Sequence, residues 1–133
     1  MKKYLNEYKW SNVFAMIRNL KLDPKICTED FHHHLVVITG ATSGIGLAAA
    51  RKYASHGADI LSINRNEKHS KELCETLASE FGSKCSYLIA DFSKLSDVHA
   101  VAQHLSTLDR NIVVLIDNTG VYVTSISFSV DKF

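Results

Sequence analysis

Apolar residues cluster in two alternating ways along this chain. Leu35-Val36-Val37-Ile38-Thr39, Ile60-Leu61-Ser62-Ile63, residues 85–89 and Ile112-Val113-Val114-Leu115-Ile116 are short, nearly unbroken apolar runs. Runs of that length suit strands buried on both faces of a parallel sheet. Between them lie stretches of helical period: residues 45–55 closed by His56-Gly57, a segment beginning at Asn66 with Leu73, Leu77 and Phe81 on one face and Gly82 after it, and residues 96–105 with Val98, Val101, Ala102 and Leu105 inward. Asn66 suits a helix N-cap, and a glycine suits the left-handed position past a helix end. Strand–helix alternation with short connections predicts right-handed βαβ units, hence an α/β fold with a parallel sheet and helices on both faces.

The first 34 residues follow another pattern. Trp10, Val13, Phe14, Ile17 and Leu20 recur at helical spacing amid Lys2, Lys3, Lys9, Arg18 and Lys21, and Asp23-Pro24 stops the helix. A basic amphipathic helix can lie on a membrane surface or a partner. So narrow a stripe fits better an ordinary helix packed on its own domain or on a second subunit. Residues 1–34 are therefore expected as an added helix and linker, and residues 35–133 as the main domain.

The glycines lie where chemistry would use them. Thr39-Gly40-Ala41-Thr42-Ser43-Gly44-Ile45-Gly46 joins the first strand to the first helix of the repeating pattern. Gly40 permits the sharp turn, Gly44 lets the backbone approach a pyrophosphate, and Gly46 lets helix and strand pack closely. The helix N-terminus supplies free N–H groups and a positive dipole end to hold phosphates. Thr39-Gly40-x-x-x-Gly44-Ile45-Gly46 resembles the cofactor loop of the short-chain dehydrogenase/reductase family. Asp91, followed by Phe92 after the third strand, resembles that family's adenine-contacting acid. Asp117-Asn118-Thr119-Gly120 resembles its Asn-Asn-Ala-Gly motif, whose backbone lines the cofactor. The resemblance spans residue 35 to about residue 122. It implies a Rossmann-like doubly wound α/β/α sandwich of which about four strands are present. The cofactor-binding residues it implies are Gly40, Thr42, Ser43, Gly44, Ile45, Gly46, Asp91, Phe92, Asn118, Thr119 and Gly120. Two departures stand out: Asp117 cannot donate the hydrogen bond of an amide, and Thr119 adds a hydroxyl beside the nicotinamide path.

Asn64-Arg65 ends the second strand, where a site preferring NAD places a carboxylate for the ribose 2′-hydroxyl. A guanidinium pairs with a 2′-phosphate, so NADP(H) is the better fit and NAD(H) the lesser one. The alternative is that Arg65 is a solvated charge on a turn. The family's acid–base pair, Tyr-x-x-x-Lys, is not found: none of Tyr4, Tyr8, Tyr53, Tyr87 and Tyr122 has Lys four residues on, and no catalytic residue carries over. The expectation is the N-terminal, cofactor-binding part of a reductase acting on a carbonyl or alcohol, inactive alone. A natural short nucleotide-binding or interaction module is the competing reading. A methyltransferase is less well served, because its site also wants an acid at the end of the second strand. Without later strands the apolar fourth strand would form an exposed edge, favouring marginal stability or self-association.

Composition narrows the partners. Fifteen Lys+Arg against fourteen Asp+Glu give a net charge of +1, which offers no electrostatic case for nucleic acid. No apolar run approaches the roughly 20 residues of a membrane span. Cys27, Cys74 and Cys85, odd in number and widely spaced, read as reduced thiols and, with no signal peptide evident, as a cytoplasmic protein. His32-His33-His34 reads as a polar loop, since consecutive side chains diverge and no partner ligands are evident.

Overall fold

The computed structural model describes residues 10–20 and 26–120. Helix α1 (Trp10–Leu20) is followed by β1 (Leu35–Thr39), α2 (Gly44–Ser55), β2 (Asp59–Asn64), α3 (Glu67–Phe81), β3 (Cys85–Ile89), α4 (Leu95–Ser106) and β4 (Ile112–Ile116). The four strands form one parallel sheet in the order β3-β2-β1-β4, with the crossover to β4 on the far side of β1. Each strand therefore ends at the same edge of the sheet, and chain reversal after β3 opens a crevice between β1 and β4.

Two cores flank the sheet. Val36 and Ile38 of β1 face α2 and α3 with Ala50, Ala54, Leu73 and Leu77. Val37, Leu61 and Ile63 face α4 with Val101. All five residues of β1 and all six of β2 are buried, as central strands covered on both faces must be. Strand β4 carries an irregularity: Leu35 pairs with Ile112 but Val36 pairs with Val114, so Val113 is an extra, bulged residue. The bulge turns Ile112 toward the α4 core while Val114 and Ile116 face the α2 core.

Helix ends match their sequence signals. Asn66 Oδ1 accepts the His69 N–H at 3.0 Å, capping α3, and Gly82 takes the left-handed conformation that ends it. At the amino edge of the sheet, Arg110 reaches Asp59 at 2.8 Å and donates to the His33 carbonyl at 3.0 Å. His32 pairs with Asp30, and the described residues hold no metal-binding cluster around the three histidines.

Helix α1, expected to pack on its own domain or on a second subunit, has Phe14, Met16 and Ile17 exposed in the single chain, and residues 1–9 and 21–25 lie outside the described residues. The cysteines correct an expectation. Cys74 and Cys85 were expected as free thiols. They are joined by a disulfide, because α3 packs directly on β3 and brings their Cα atoms within 4.9 Å. Sequence spacing cannot reveal a pairing made by helix-on-strand packing, and only Cys27 is free.

Candidate functional site

At the carboxyl edge of the sheet a cleft of about 600 Å³ opens between the β1–α2 loop and the ends of β2, β3 and β4. A volume of several hundred Å³ is usual for cofactor sites. Of the residues expected at a nucleotide site, Gly40, Thr42, Ser43, Asn64, Arg65, Phe92, Asn118, Thr119 and Gly120 line it. Gly44, Ile45, Gly46 and Asp91 do not contribute to its lining; Ile45 is largely exposed and Gly46 is buried beneath the loop.

The floor of this cleft is set by close backbone approach. A Cβ on Gly46 would stand 2.2 Å from the Gly40 carbonyl oxygen and 2.9 Å from its carbon. Real Cβ atoms do not come so near backbone, so only glycine lets α2 start this close to the end of β1. Gly40 has φ +66, a left-handed turn that a side chain would strain. Asn118 Nδ2 donates to the Gly40 carbonyl at 3.2 Å and to the Thr39 carbonyl at 3.4 Å, tying the β4 loop to the glycine turn.

Thr39 is the hub of that tie. Its hydroxyl donates to Asp117 Oδ1 at 3.0 Å and accepts the N–H groups of Asn118 at 2.9 Å and Thr119 at 3.0 Å. A hydroxyl has one proton and two lone pairs, so all three capacities are filled. Asp117 thus braces the sheet as an acceptor, with Thr39 supplying the proton that an amide would otherwise offer.

Asn64, buried at the end of β2, has its side chain committed inside the protein. Its Oδ1 accepts the Ala41 N–H at 2.8 Å and its Nδ2 donates to Ser70 Oγ at 3.1 Å. It shapes the cleft by holding the β1–α2 loop. Arg65, the next residue, is exposed on the rim, and its guanidinium makes no hydrogen bond or ion pair among the described residues. Asp91 accepts from the Ser93 N–H at 3.1 Å and hydroxyl at 2.9 Å. Those two hydrogen bonds hold its carboxyl below the ordinary carboxylate value, with Lys94 and Arg65 assisting at longer range. The Asp91 N–H is itself held by Asp97 Oδ2 at 2.9 Å.

The family model described as short chain dehydrogenase matches residues 34–132, most of the chain. The chain belongs to the short-chain dehydrogenase family. It is 36% identical over 93 residues to short-chain dehydrogenase/reductase family 16C member 6 of Bos taurus, covering 70% of this chain and 29% of that protein. It is 30% identical over 118 residues to hydroxysteroid dehydrogenase-like protein 1 of Gallus gallus, covering 85% of this chain and 35% of the relative. The chain thus spans about a third of the length of these curated relatives. Among solved structures it resembles a short-chain dehydrogenase from Sphingobium yanoikuyae in complex with NADPH, at 36% identity and a TM-score of 0.62, covering 65% of this chain and 34% of that one. L-sorbose reductase from Gluconobacter frateurii, complexed with NADPH and L-sorbose, matches at 28% identity and a TM-score of 0.65, covering 73% of this chain and 37% of that one.

Set in this short-chain dehydrogenase frame, three residues matter that sequence reasoning did not single out. Thr39 opens the glycine motif, and its role shows only once β4 lies beside β1. Ser70 falls on the apolar face of α3 in register with Leu73 and Leu77 and is fully buried; a polar residue on such a stripe is the signal that was available. His69 lines the cleft from the first turn of α3. No helix among the described residues is long and apolar enough to cross a membrane.

Proposed function

We propose that this chain is the cofactor-binding portion of an NADP(H)-dependent oxidoreductase, residues 35–133 forming its Rossmann part. The whole protein would transfer hydride between nicotinamide and a carbonyl or alcohol. The observation that carries this reading is Arg65: an uncommitted guanidinium on the cleft rim, at the end of β2, with Asn64 where a carboxylate would serve NAD. The cleft suits the adenosine and pyrophosphate of the cofactor, with Gly40, Thr42 and Ser43 beside the phosphates and Asp91 and Phe92 toward the adenine. When bound, the nicotinamide would supply the hydride. This chain's residues bind and orient it, and Thr119 and Gly120 stand at the end of β4 along its path.

The test is titration of the 133-residue chain with NADPH and with NADH, followed by nucleotide fluorescence. A charge-assisted hydrogen bond to the 2′-phosphate favours NADPH by roughly tenfold to a hundredfold, and Arg65→Ala removes that preference while sparing NADH. Equal affinity for the two cofactors in the unaltered chain would sink the reading. A second reading, nucleotide binding without turnover, draws on a relative named inactive hydroxysteroid dehydrogenase-like protein 1 of Rattus norvegicus, 34% identical over 86 residues. Tight NADPH binding with no oxidation of NADPH by any of a panel of aldehydes and ketones favours it. A cytoplasmic location belongs to the proposal, tested by fractionating cells for the tagged chain. Self-association belongs to it as well, tested by sedimentation.

A further inference from the structure

We infer that His69 is a second specificity-determining residue for the cofactor's 2′-phosphate, acting beside Arg65 and making the preference for the phosphorylated cofactor depend on pH. The inference rests on the NADP(H) reading above and deepens it. His69 lines the same cleft as Arg65 and Asn66, and it also lines an adjoining cleft of about 450 Å³ together with Thr42 and Ser43. It therefore stands where the glycine-loop hydroxyls, the rim guanidinium and the first turn of α3 converge. Its backbone N–H is already taken by Asn66 Oδ1, so only the ring is offered to a ligand. That ring is exposed and makes no hydrogen bond among the described residues, so nothing need be broken for it to turn toward an anion.

The surrounding charges leave that role open. Arg65 approaches from the end of β2. From α3 itself come Glu67, Lys68 and Glu72, and Lys68 stands 4.0 Å from Glu72, partly offsetting the carboxylate in the adjoining cleft. From α2 comes Arg51, which is bound to Glu80 at 2.5 Å and stacked over Phe81, so it is not free to serve a phosphate. Across the cleft Asp91 is held by Ser93. Histidine is the side chain that ordinarily changes charge between about pH 5 and pH 8, and both ring nitrogens donate only in its charged form. A phosphate ester beside it is then bound more tightly on the acid side of neutrality.

The experiment measures NADPH and NADH dissociation constants for the full chain and for His69→Ala, His69→Lys and Arg65→Ala at about pH 6 and about pH 8.5. His69→Ala is expected to weaken NADPH about tenfold near pH 6, the worth of one charge-assisted hydrogen bond, and to leave NADH unchanged. At the higher pH its deficit shrinks to about twofold or less. His69→Lys matches the unaltered chain for NADPH near pH 6 and exceeds it at the higher pH; titration of the nucleotide phosphate is common to both and cancels in that ratio. Equal weakening of both cofactors by His69→Ala, or no weakening of either, overturns the inference. Far-UV circular dichroism checks each variant's fold, and should His69→Ala fail to fold, His69→Lys decides: its NADPH affinity relative to the unaltered chain is expected to rise about tenfold between the two pH values, and a ratio that does not change with pH overturns the inference. The underlying reading fails separately, when the unaltered chain shows no preference for NADPH and Arg65→Ala changes nothing.

Discussion

Gly46 shows how one missing carbon can set a site. Gly46→Ala must push the Gly40 carbonyl or the start of α2 aside, since the Cβ would stand 2.2 Å from the Gly40 carbonyl oxygen, which cannot turn away as the Asn118 side chain, 2.6 Å from the same Cβ, could. Overpacking of this kind costs roughly 1–3 kcal/mol, and the displaced loop is the one proposed to hold phosphate. Urea denaturation should show the loss, and NADPH titration should show weakened binding in whatever folds. Thr39 offers a sharper contrast. Thr39→Val leaves the Asn118 and Thr119 N–H groups without their acceptor and should cost roughly 1–3 kcal/mol, toward the lower end because the site is only partly buried. Asp117→Asn keeps a carbonyl oxygen to accept from Thr39 and should cost less; equal losses in the two variants would contradict the hub. For Asp91 the folded-state value is lowered, so its stabilising contribution is present above the ordinary value of 3.8 and is lost only as pH falls below that value. Proton NMR of the Ser93 amide between about pH 6 and pH 2 should therefore show its hydrogen bond intact through the upper range and released only at the acid end.

At the scale of elements, the strands were the most legible feature. β1, β3 and β4 occupy the residues their apolar runs marked out, but burial on both faces, expected of such runs, holds for central β1 and not for β3 and β4, which lie at the sheet's edges with half-buried and exposed residues. α3 was equally plain: its cap at Asn66 and its left-handed end at Gly82 are local devices that need no tertiary knowledge. α4 was legible in outline only; of its four residues expected inward, Val101 is buried while Ala102 is exposed, beside an apolar groove along β4. What sequence could not supply were contacts made across elements. Asn64 lines the cleft as its place at the end of β2 suggests, but its amide is also bonded to Ala41 and Ser70, 23 residues before and 6 after it, which sequence alone does not bring together. Cys74 and Cys85 were missed as a pair for the same reason. Closing the short loop between them should stabilise the chain by about 3 kcal/mol on chain-entropy grounds. Thermal unfolding with and without dithiothreitol checks this: reduction should lower the midpoint by several degrees, and an unchanged midpoint would mean the disulfide does not form in solution.

Taken whole, the molecule puts its two kinds of information on opposite edges of one sheet. The amino edge is closed by Arg110, Asp59 and His33, a structural clasp, while the carboxyl edge gathers the cleft residues from four strand ends. A ligand seated there touches every strand, so binding should stabilise the entire sheet. NADPH at a hundred times its dissociation constant would add about 2.7 kcal/mol, a rise in midpoint of roughly 10 °C for a domain of this size. NADH at the same concentration should give a smaller rise, and differential scanning fluorimetry would compare them directly. The bulge at Val113 carries a consequence for how this chain tolerates insertions and deletions. A one-residue deletion within a strand ordinarily inverts every side chain beyond it, exchanging core for surface. Loss of Val113 would do the reverse, letting Ile112 and Val114 become successive partners of Leu35 and Val36 with each still facing its present core. Loss of Val37 from β1 has no such escape. Position 113 is thus a place where this strand can lose a residue and keep its reading frame of inward and outward faces.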